Sequence, residues 1–474
     1  MKSRQRLCAE TLTGLPQAIQ RPRFDRTRLR PGIVHLGLGA FARAFLACAT
    51  DDAIESAQSA NDPLDDPHAW GIVGVSFKHR DTVNVLTPQD GLSTVAFGDR
   101  SGVRLRVIGS VIEVRFAPDE WRAIVERIAA RDTRVISLTI TEKAYVERGP
   151  HSPMQLLAQG LAARYAAGTG PVSLMSLDNL PTNGATLRNN LIATFSPSQG
   201  DVERWVGEQC RFPNTMVDRI VPRTTDEDRV AISAALELID RWPIAAEPYM
   251  EWAIEDQFAS GCPNWAAGGA QFVDDVGPWE QRKLRMVNGA HSCIAYMGLL
   301  AGWTTVDQAI DHPLLRDYIE VMLRDEVAPT LAGVDVTDYT QRLISRFFNP
   351  RLKHACAQIA MDGSHKIPLR LLATIRDGIA QGSPIERLCL GVGAWLTWLP
   401  NVQDTDDPNA VHLRATAATA KKLLSPHDRV RMLVGAIGGF EQLIKEPKFI
   451  NTIARSLTLI DVHGIAGALA RYRR

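Results

Sequence analysis

Apolar and polar positions follow two rhythms along this chain, and the change comes near residue 278. Before it, short and nearly continuous apolar runs alternate with helically patterned stretches. The runs at 30–36, 71–77, 134–140 and 172–176 read as buried parallel strands. The stretches at 44–54, 118–130 and 153–167 carry helical spacing. Residues 103–114 alternate, which predicts an edge strand or hairpin. Further on, 201–238 is helical with a break at 212–222, and 271–276 reads as one more strand. From 280 to 474 the spacing is helical with short breaks. The pattern therefore predicts an α/β domain over 1–278, followed by an all-helical domain over 279–474.

Composition narrows this picture. A chain of 474 residues is too long for one core, so two or three domains are expected. Lys+Arg and Asp+Glu both number 53, so long-range charge gives no pull towards nucleic acid or an anionic membrane. No run reads as a transmembrane helix; the most apolar stretch, 293–303, is too short. Residues 1–31 are Arg-rich without an apolar segment, so no secretory signal is expected. Seven scattered cysteines without a CxxC pair point to a reducing, cytoplasmic setting and away from a Cys-built zinc site.

Two stretches carry candidate chemistry. The first is Gly37-Leu-Gly39-Ala-Phe41-Ala42-Arg43, a G-x-G-x-x-A turn between a strand and a helix. Its small residues allow a tight turn, approach of a pyrophosphate, and close helix–strand packing. Ligands of open α/β sheets bind beyond the carboxyl ends of strands. Four strands here end at 37–39, 76–80, 142–143 and 178–179, gathering polar groups at one edge. The second strand ends without the acid that would hold the adenosine ribose of NAD; Lys78, His79 and Arg80 follow instead. That leaves NADP open beside NAD, since a cation there can hold a 2′-phosphate. Equally, Lys78 and Arg80 can be solvated loop charges.

The second stretch runs Glu280-Gln-Arg-Lys283-Leu-Arg-Met-Val-Asn288-Gly-Ala-His291 and opens a helix that continues as an apolar segment. At about 100° per residue, Glu280, Lys283, Asn288 and His291 fall within an arc of roughly 140°. A lysine withdrawn from water is a usable general base. The competing reading makes Lys283 and Arg285 solvated first-turn residues, and Asn288 and His291 ordinary core hydrogen-bonders. Two further features stand out. Asp218-Arg219, flanked by apolar residues, predicts a partly buried ion pair. In 349–366, a helix would set His354 and Gln358 at i,i+4, and a Gly-Ser turn would then present Lys366.

With 37–43, 178–184, 212–222, 283–291 and 362–366 in view, the chain resembles the polyol-specific long-chain dehydrogenases, the mannitol dehydrogenase family, over nearly its whole length. Phe212-Pro-x-x-Met-Val-Asp-Arg-Ile-x-Pro222 and Lys283-Leu-Arg-x-x-Asn-Gly-x-His291 are its specific signatures. The resemblance implies a Rossmann-type N-terminal domain and a helical C-terminal domain. It also implies NAD(H) or NADP(H), no metal, interconversion of a secondary alcohol and a ketone, and a monomer. Residue by residue, it implies Lys283 as general base, Asn179 and Asn288 as oxyanion-binding amides, and His291 as the substrate-orienting group. Asp218, Lys143, Gln358 and Lys366 would meet the substrate, and Glu280 would lead the proton out. Gly37, Gly39, Phe41, Ala42, Arg43, Glu142 and Asp178 would meet the cofactor. Ala42 and Phe45 stand where the family usually has histidines. Lys143 after Thr141-Glu142, and Gln358 with the Met-Asp-Gly-Ser before His365-Lys366, are similar to the fructuronate reductase branch. An ammonium at the sheet edge could pair with a sugar-acid carboxylate, with Glu142, or with a cofactor phosphate.

Overall fold

Strands apolar on both faces form the main sheet, and the ends of those strands set up the first site. The computed structural model describes residues 5–60, 66–147 and 149–472. The chain divides into two compact units, Met1–Gly277 and Pro278–Arg474. The described strands are β1 (Pro31–Leu36), β2 (Gly71–Ser76), β3 (Ser93–Asp99), β4 (Gly102–Ile108), β5 (Val111–Phe116), β6 (Val135–Leu138), β7 (Ser173–Ser176), β8 (Thr215–Asp218), β9 (Ile244–Ala246), β10 (Glu251–Glu255) and β11 (Ala270–Val273). Five of them form a parallel sheet in the order β5-β2-β1-β6-β7. Along β1, Ile33 enters one core while Val34 and Leu36 enter another. The helix Cys48–Ala60 covers the first face; Ala117–Ala129 and Pro153–Ala167 cover the second. Two covered faces explain why these strands read as continuous apolar runs rather than alternating ones.

The alternating stretch 103–114 is neither one strand nor one hairpin. It breaks at Gly109-Ser110, whose amides donate to the buried carboxylate of Asp51 at 2.9 and 2.7 Å. Before the break, β4 pairs antiparallel with β3. After it, β5 joins the main sheet parallel to β2. A three-stranded sheet β4-β3-β9 results, and β8, β10 and β11 form another. Residues 215–218 are thus a strand inside what the spacing marked as a break.

In the second unit the helix Gly289–Ala301 is buried continuously from Gly289 to Gly298. It packs with Glu386–Trp398 and Pro447–Ala470 in one cluster of Leu, Ile, Val, Met and aromatic side chains. Each fully buried side chain of that kind is worth about 1.5–3 kcal/mol. Gly363 is required here: a Cβ would lie 2.3 Å from Tyr296 Oη and 2.7 Å from Trp395 Nε1. The expectation that no stretch approaches membrane-spanning length needs correction. Pro447–Ala470 has 24 residues and contains an 18-residue window of mean hydropathy 1.3, so it is long and apolar enough by length and composition. It carries Lys448, Arg455 and Asp461, and buries Phe449, Ile453, Leu457 and Ile460 in the unit's core.

Candidate active site

The glycine turn of the first unit is built from below. Gly37 has φ +95, and a Cβ there would lie 2.2 Å from the Thr139 carbonyl oxygen. Both facts demand glycine. Thr139 Oγ1 donates to the Gly37 carbonyl at 2.7 Å and meets His35 Nε2 at 3.0 Å; His35 Nδ1 meets Ser137 Oγ at 2.8 Å. Burial pushes His35 down to about 4, so the imidazole is neutral near pH 7. His35 escaped the sequence reading; its signal was a lone polar residue inside an apolar strand. Gly39 differs from Gly37. A Cβ on it would meet nothing nearer than the Gly37 carbonyl at 3.8 Å, so its open side suits a close-approaching phosphate. Ala42 is buried where helix and strand meet. A cleft of about 370 Å³ lies over the turn, lined by Gly37, Gly39, Ser76, Phe77, Lys78 and Thr141 among others. These residues fit a dinucleotide.

Other residues expected to touch a cofactor also support the cradle from within the unit. Arg43 is buried and donates to the Trp242 carbonyl at 2.7 Å and the Gly39 carbonyl at 3.3 Å. It braces the turn from inside the unit. Phe41 stacks on Phe45, ring centroids 5.0 Å apart. Asp178 accepts from the Ile140 amide at 3.0 Å, the Thr141 amide at 3.1 Å and Tyr145 Oη at 2.8 Å. Burial raises its pKa, against the pull of those hydrogen bonds. It clamps the loop after β6, where Thr141 sits at φ 70. Beyond it, Glu142, Lys143 and Asn179 are exposed. At the end of β2, Lys78 and His79 are exposed, while Arg80 pairs with Asp119.

Two further asparagines lock the signature stretches together. Asn183 is fully buried; its amide donates to the Ser176 and Thr215 carbonyls at 3.1 and 2.9 Å, and its carbonyl accepts the Thr215 amide at 2.8 Å. Asn214 Oδ1 accepts the Gly184 and Ala185 amides at 2.9 and 3.1 Å, capping the helix Asn183–Ile192. Asp218 closes β8, buried, opposite Glu251. The expected Asp218–Arg219 pair is replaced: Arg219 spends its guanidinium on the carbonyls of Ala44, Pro248 and Tyr249.

In the second unit, Lys283–Asn288 is a π-helical turn between Gly277–Arg282 and Gly289–Ala301. In an α-helix, residues i and i+5 lie about 140° apart. The i→i+5 ring of a π-turn brings them to roughly 50°. Lys283 and Asn288 therefore share a face more closely than uniform α geometry allows. Both are half-buried, as is Glu280. The solvated-turn reading fails for Arg285, which is buried, pairs with Asp377 at 2.5 Å and donates to the Thr330 carbonyl at 3.0 Å. Arg282 donates to the Asp335 carbonyl at 2.8 Å and lies 4.4 Å from the Tyr339 ring centroid.

His291 is 7% exposed, and its Nε2 is buried without a hydrogen-bond partner. Its ring lies 4.5 Å from Phe347 and 5.4 Å from His354. Burial, then His354, Arg346 and Arg370, hold its pKa well below the ordinary imidazole range. A neutral ring with an unspent nitrogen suits a hydroxyl ligand. His354 and Gln358 do not share a helix. The helix is Cys356–Ala360; residues 354–356 pair with the 304–306 segment, through Val306 N to the His354 carbonyl and Cys356 N to the Thr304 carbonyl. Gln358 is exposed. Lys366 lies inside the short helix Gly363–Ile367, 3.9 Å from Asp362, rather than on a Gly-Ser turn.

Comparison with known proteins fits both halves. The chain matches the mannitol dehydrogenase Rossmann domain over residues 31–267 and the mannitol dehydrogenase C-terminal domain over 275–461. The chain belongs to the mannitol dehydrogenase family. It is 36% identical to the uncharacterized oxidoreductase YeiQ of Escherichia coli, over 96% of this chain and 97% of that one. It is 34% identical to a mannitol 2-dehydrogenase of Phaeosphaeria nodorum, over 96% and 84%. Among solved structures, the Pseudomonas fluorescens mannitol 2-dehydrogenase in ternary complex with NAD and D-mannitol superposes with a TM-score of 0.81, at 30% identity and 99% coverage of both chains. A substrate-free D-sorbitol dehydrogenase gives 0.86, at 27% identity, covering 98% of this chain and 100% of that one. This family member is accordingly an oxidoreductase with a Rossmann-like first unit and a helical second unit.

Proposed function

We propose that this family member reduces a keto-sugar acid with NAD(H), with D-fructuronate and D-mannonate as the leading pair. The observation that carries alcohol–ketone chemistry is the second unit's helix. It brings Lys283 and Asn288 onto one face through a π-turn and ends that face in a neutral histidine with a buried, unspent nitrogen. In the alcohol-to-ketone direction, the Lys283 amine takes the hydroxyl proton while hydride leaves the same carbon. Asn288 and Asn179 offer amide donors to the oxygen as its negative charge grows, the preorganised arrangement that stabilises such charge without a metal. His291 orients a neighbouring hydroxyl, Asp218 another, and Glu280 passes the proton to solvent. Bound over Gly37 and Gly39, the nicotinamide cofactor supplies the hydride acceptor. NADP is a second candidate, because the end of β2 offers Lys78 and His79 rather than a carboxylate.

The sugar-acid assignment rests on the Thr141-Glu142-Lys143 and Met361-Asp-Gly-Ser364 sequences, which resemble the fructuronate reductase branch. A neutral polyol reading is favoured by the names of the mannitol 2-dehydrogenase relatives. Steady-state rates with mannonate, fructuronate, mannitol, sorbitol and arabinitol, each with NAD(H) and NADP(H), separate the two. Higher kcat/KM for the acid pair supports the proposal; a large preference for mannitol refutes it.

A further inference from the structure

Arg370 stands beside the Asn288–His291 turn with its charge uncompensated. It belongs to a second π-helical turn, Pro368–Leu372. Its Nη1 donates to the Ser292 hydroxyl at 3.1 Å and to the Asn288 carbonyl at 3.4 Å. Among the described residues, Nε and Nη2 have no hydrogen-bond partner and the guanidinium makes no ion pair. Three other deeply placed arginines are spent differently: Arg285 has Asp377, while Arg43 and Arg219 donate to backbone carbonyls. The neighbourhood is positive as well, since His354, Arg346 and Arg370 all oppose protonation of His291. A half-buried cation without a carboxylate is costly to keep in the fold. Its unspent Nε–Nη2 edge has the geometry that grips a carboxylate with two parallel hydrogen bonds.

We propose that Arg370 is the residue that binds the carboxylate of the substrate, and so sets the preference for a sugar acid over a neutral polyol. This rests on the sugar-acid reading given above. It moves the carboxylate site from Lys143, on the first unit, to the second unit's own helix. A purely structural role, satisfying the Asn288 carbonyl within the π-turn, would disturb acid and neutral ligands alike.

The test measures dissociation constants of D-mannonate and of its neutral amide, D-mannonamide, for the enzyme–NADH complex by fluorescence titration. The wild type should bind the acid about 10- to 100-fold more tightly than the amide, the range a charge-assisted bidentate pair supplies. In Arg370→Gln that ratio should fall to near one. Arg370→Lys, which keeps the charge without the fork, should give an intermediate ratio and covers the case in which the glutamine variant fails to fold. An unchanged ratio in either folded variant, or a wild type that does not prefer the acid, overturns the assignment. Turnover of mannonate by the wild type judges the sugar-acid reading separately: turnover with an unchanged ratio in Arg370→Gln removes Arg370 alone.

Discussion

The glycine cradle of the first unit and the Lys283 helix of the second handle buried polar groups in opposite ways. Around the cradle, His35, Thr139, Asp178, Asn183 and Asn214 bond one another, Ser137 or the backbone at 2.7–3.2 Å. On and beside the helix, His291 Nε2 and His354 Nδ1 are buried without partners among the described residues, and Arg370 keeps an unspent edge. Buried polar groups are nearly always hydrogen-bonded, so the exceptions ask for an explanation. A holder of a fixed group can be completed in advance. A site that must grip a transient oxygen or carboxylate has to leave donors and acceptors unspent. On that contrast, mutations in the cradle should act on cofactor affinity and those on the helix on turnover and substrate choice.

The largest expected effect comes from Lys283→Ala. Loss of a general base costs on the order of 10²–10⁴ in rate. The variant should lose at least that much in kcat while binding NADH with wild-type affinity in a fluorescence titration. Retained turnover would remove Lys283 from the mechanism. Gly37→Val is the matching break in the cradle. The backbone at φ +95 and the Thr139 carbonyl 2.2 Å from the new Cβ leave no room for a side chain. NADH affinity should fall by more than about 100-fold, roughly 3 kcal/mol. If it instead leaves affinity intact and lowers only kcat, the division of labour between the two regions is wrong.

A smaller effect sharpens the comparison through pH. Glu326 is fully buried in the helical unit, accepts the Arg387 and Leu388 amides at 2.8 Å each, and is pushed up to about 7 by burial. A carboxyl whose folded pKa lies above its unfolded one binds its proton more tightly when folded. Its contribution is therefore greatest at low pH and declines as pH rises from about 4.5 to about 7, by about 3 kcal/mol in all. His35 in the first unit runs the other way. Its folded pKa near 4 lies below the ordinary 6.5, so its contribution is lost as pH falls through that window. Glu326→Gln should narrow its stability deficit against wild type between pH 5 and pH 8 in urea titrations. A deficit that widens over that range would reverse the assignment.

Much of the first unit was legible because strands buried on both faces leave continuous apolar runs, and because Gly37 and Gly39 announce a turn. The β3–β4–β9 sheet was missed, since the alternation of 103–114 does not mark the break that Asp51 imposes from 58 residues away. The signature residues stand out in the sequence, but several of their internal contacts do not. The spacing gives no sign that Asp178 takes the amides of 140 and 141 on its oxygens. The π-turn at Lys283 leaves no mark in the residue spacing, and its contacts come from far along the chain, Asp377 on Arg285 and Arg370 on the Asn288 carbonyl. His354 fell outside its predicted helix for the same kind of reason: residues 354–356 give their backbone groups to a bridge with 304–306.

The smallest expected effect belongs to Lys143, and it bears on which unit reads the substrate's charge. Lys143 is exposed on the short helix Glu142–Val146. An exposed ion pair contributes only about 0–1 kcal/mol, so its loss should change affinity by no more than roughly fivefold. Lys143→Ala should accordingly leave the mannonate-to-mannonamide affinity ratio within about fivefold of wild type, well short of the collapse expected on removing the Arg370 fork. The comparison is informative in either direction because both ligands share every hydroxyl and differ only in charge. A loss of more than tenfold for the acid alone would put the carboxylate against the loop after β6. The first unit would then do more than hold the cofactor, and its exposed lysine, not the half-buried arginine, would be the residue that distinguishes a sugar acid from a polyol.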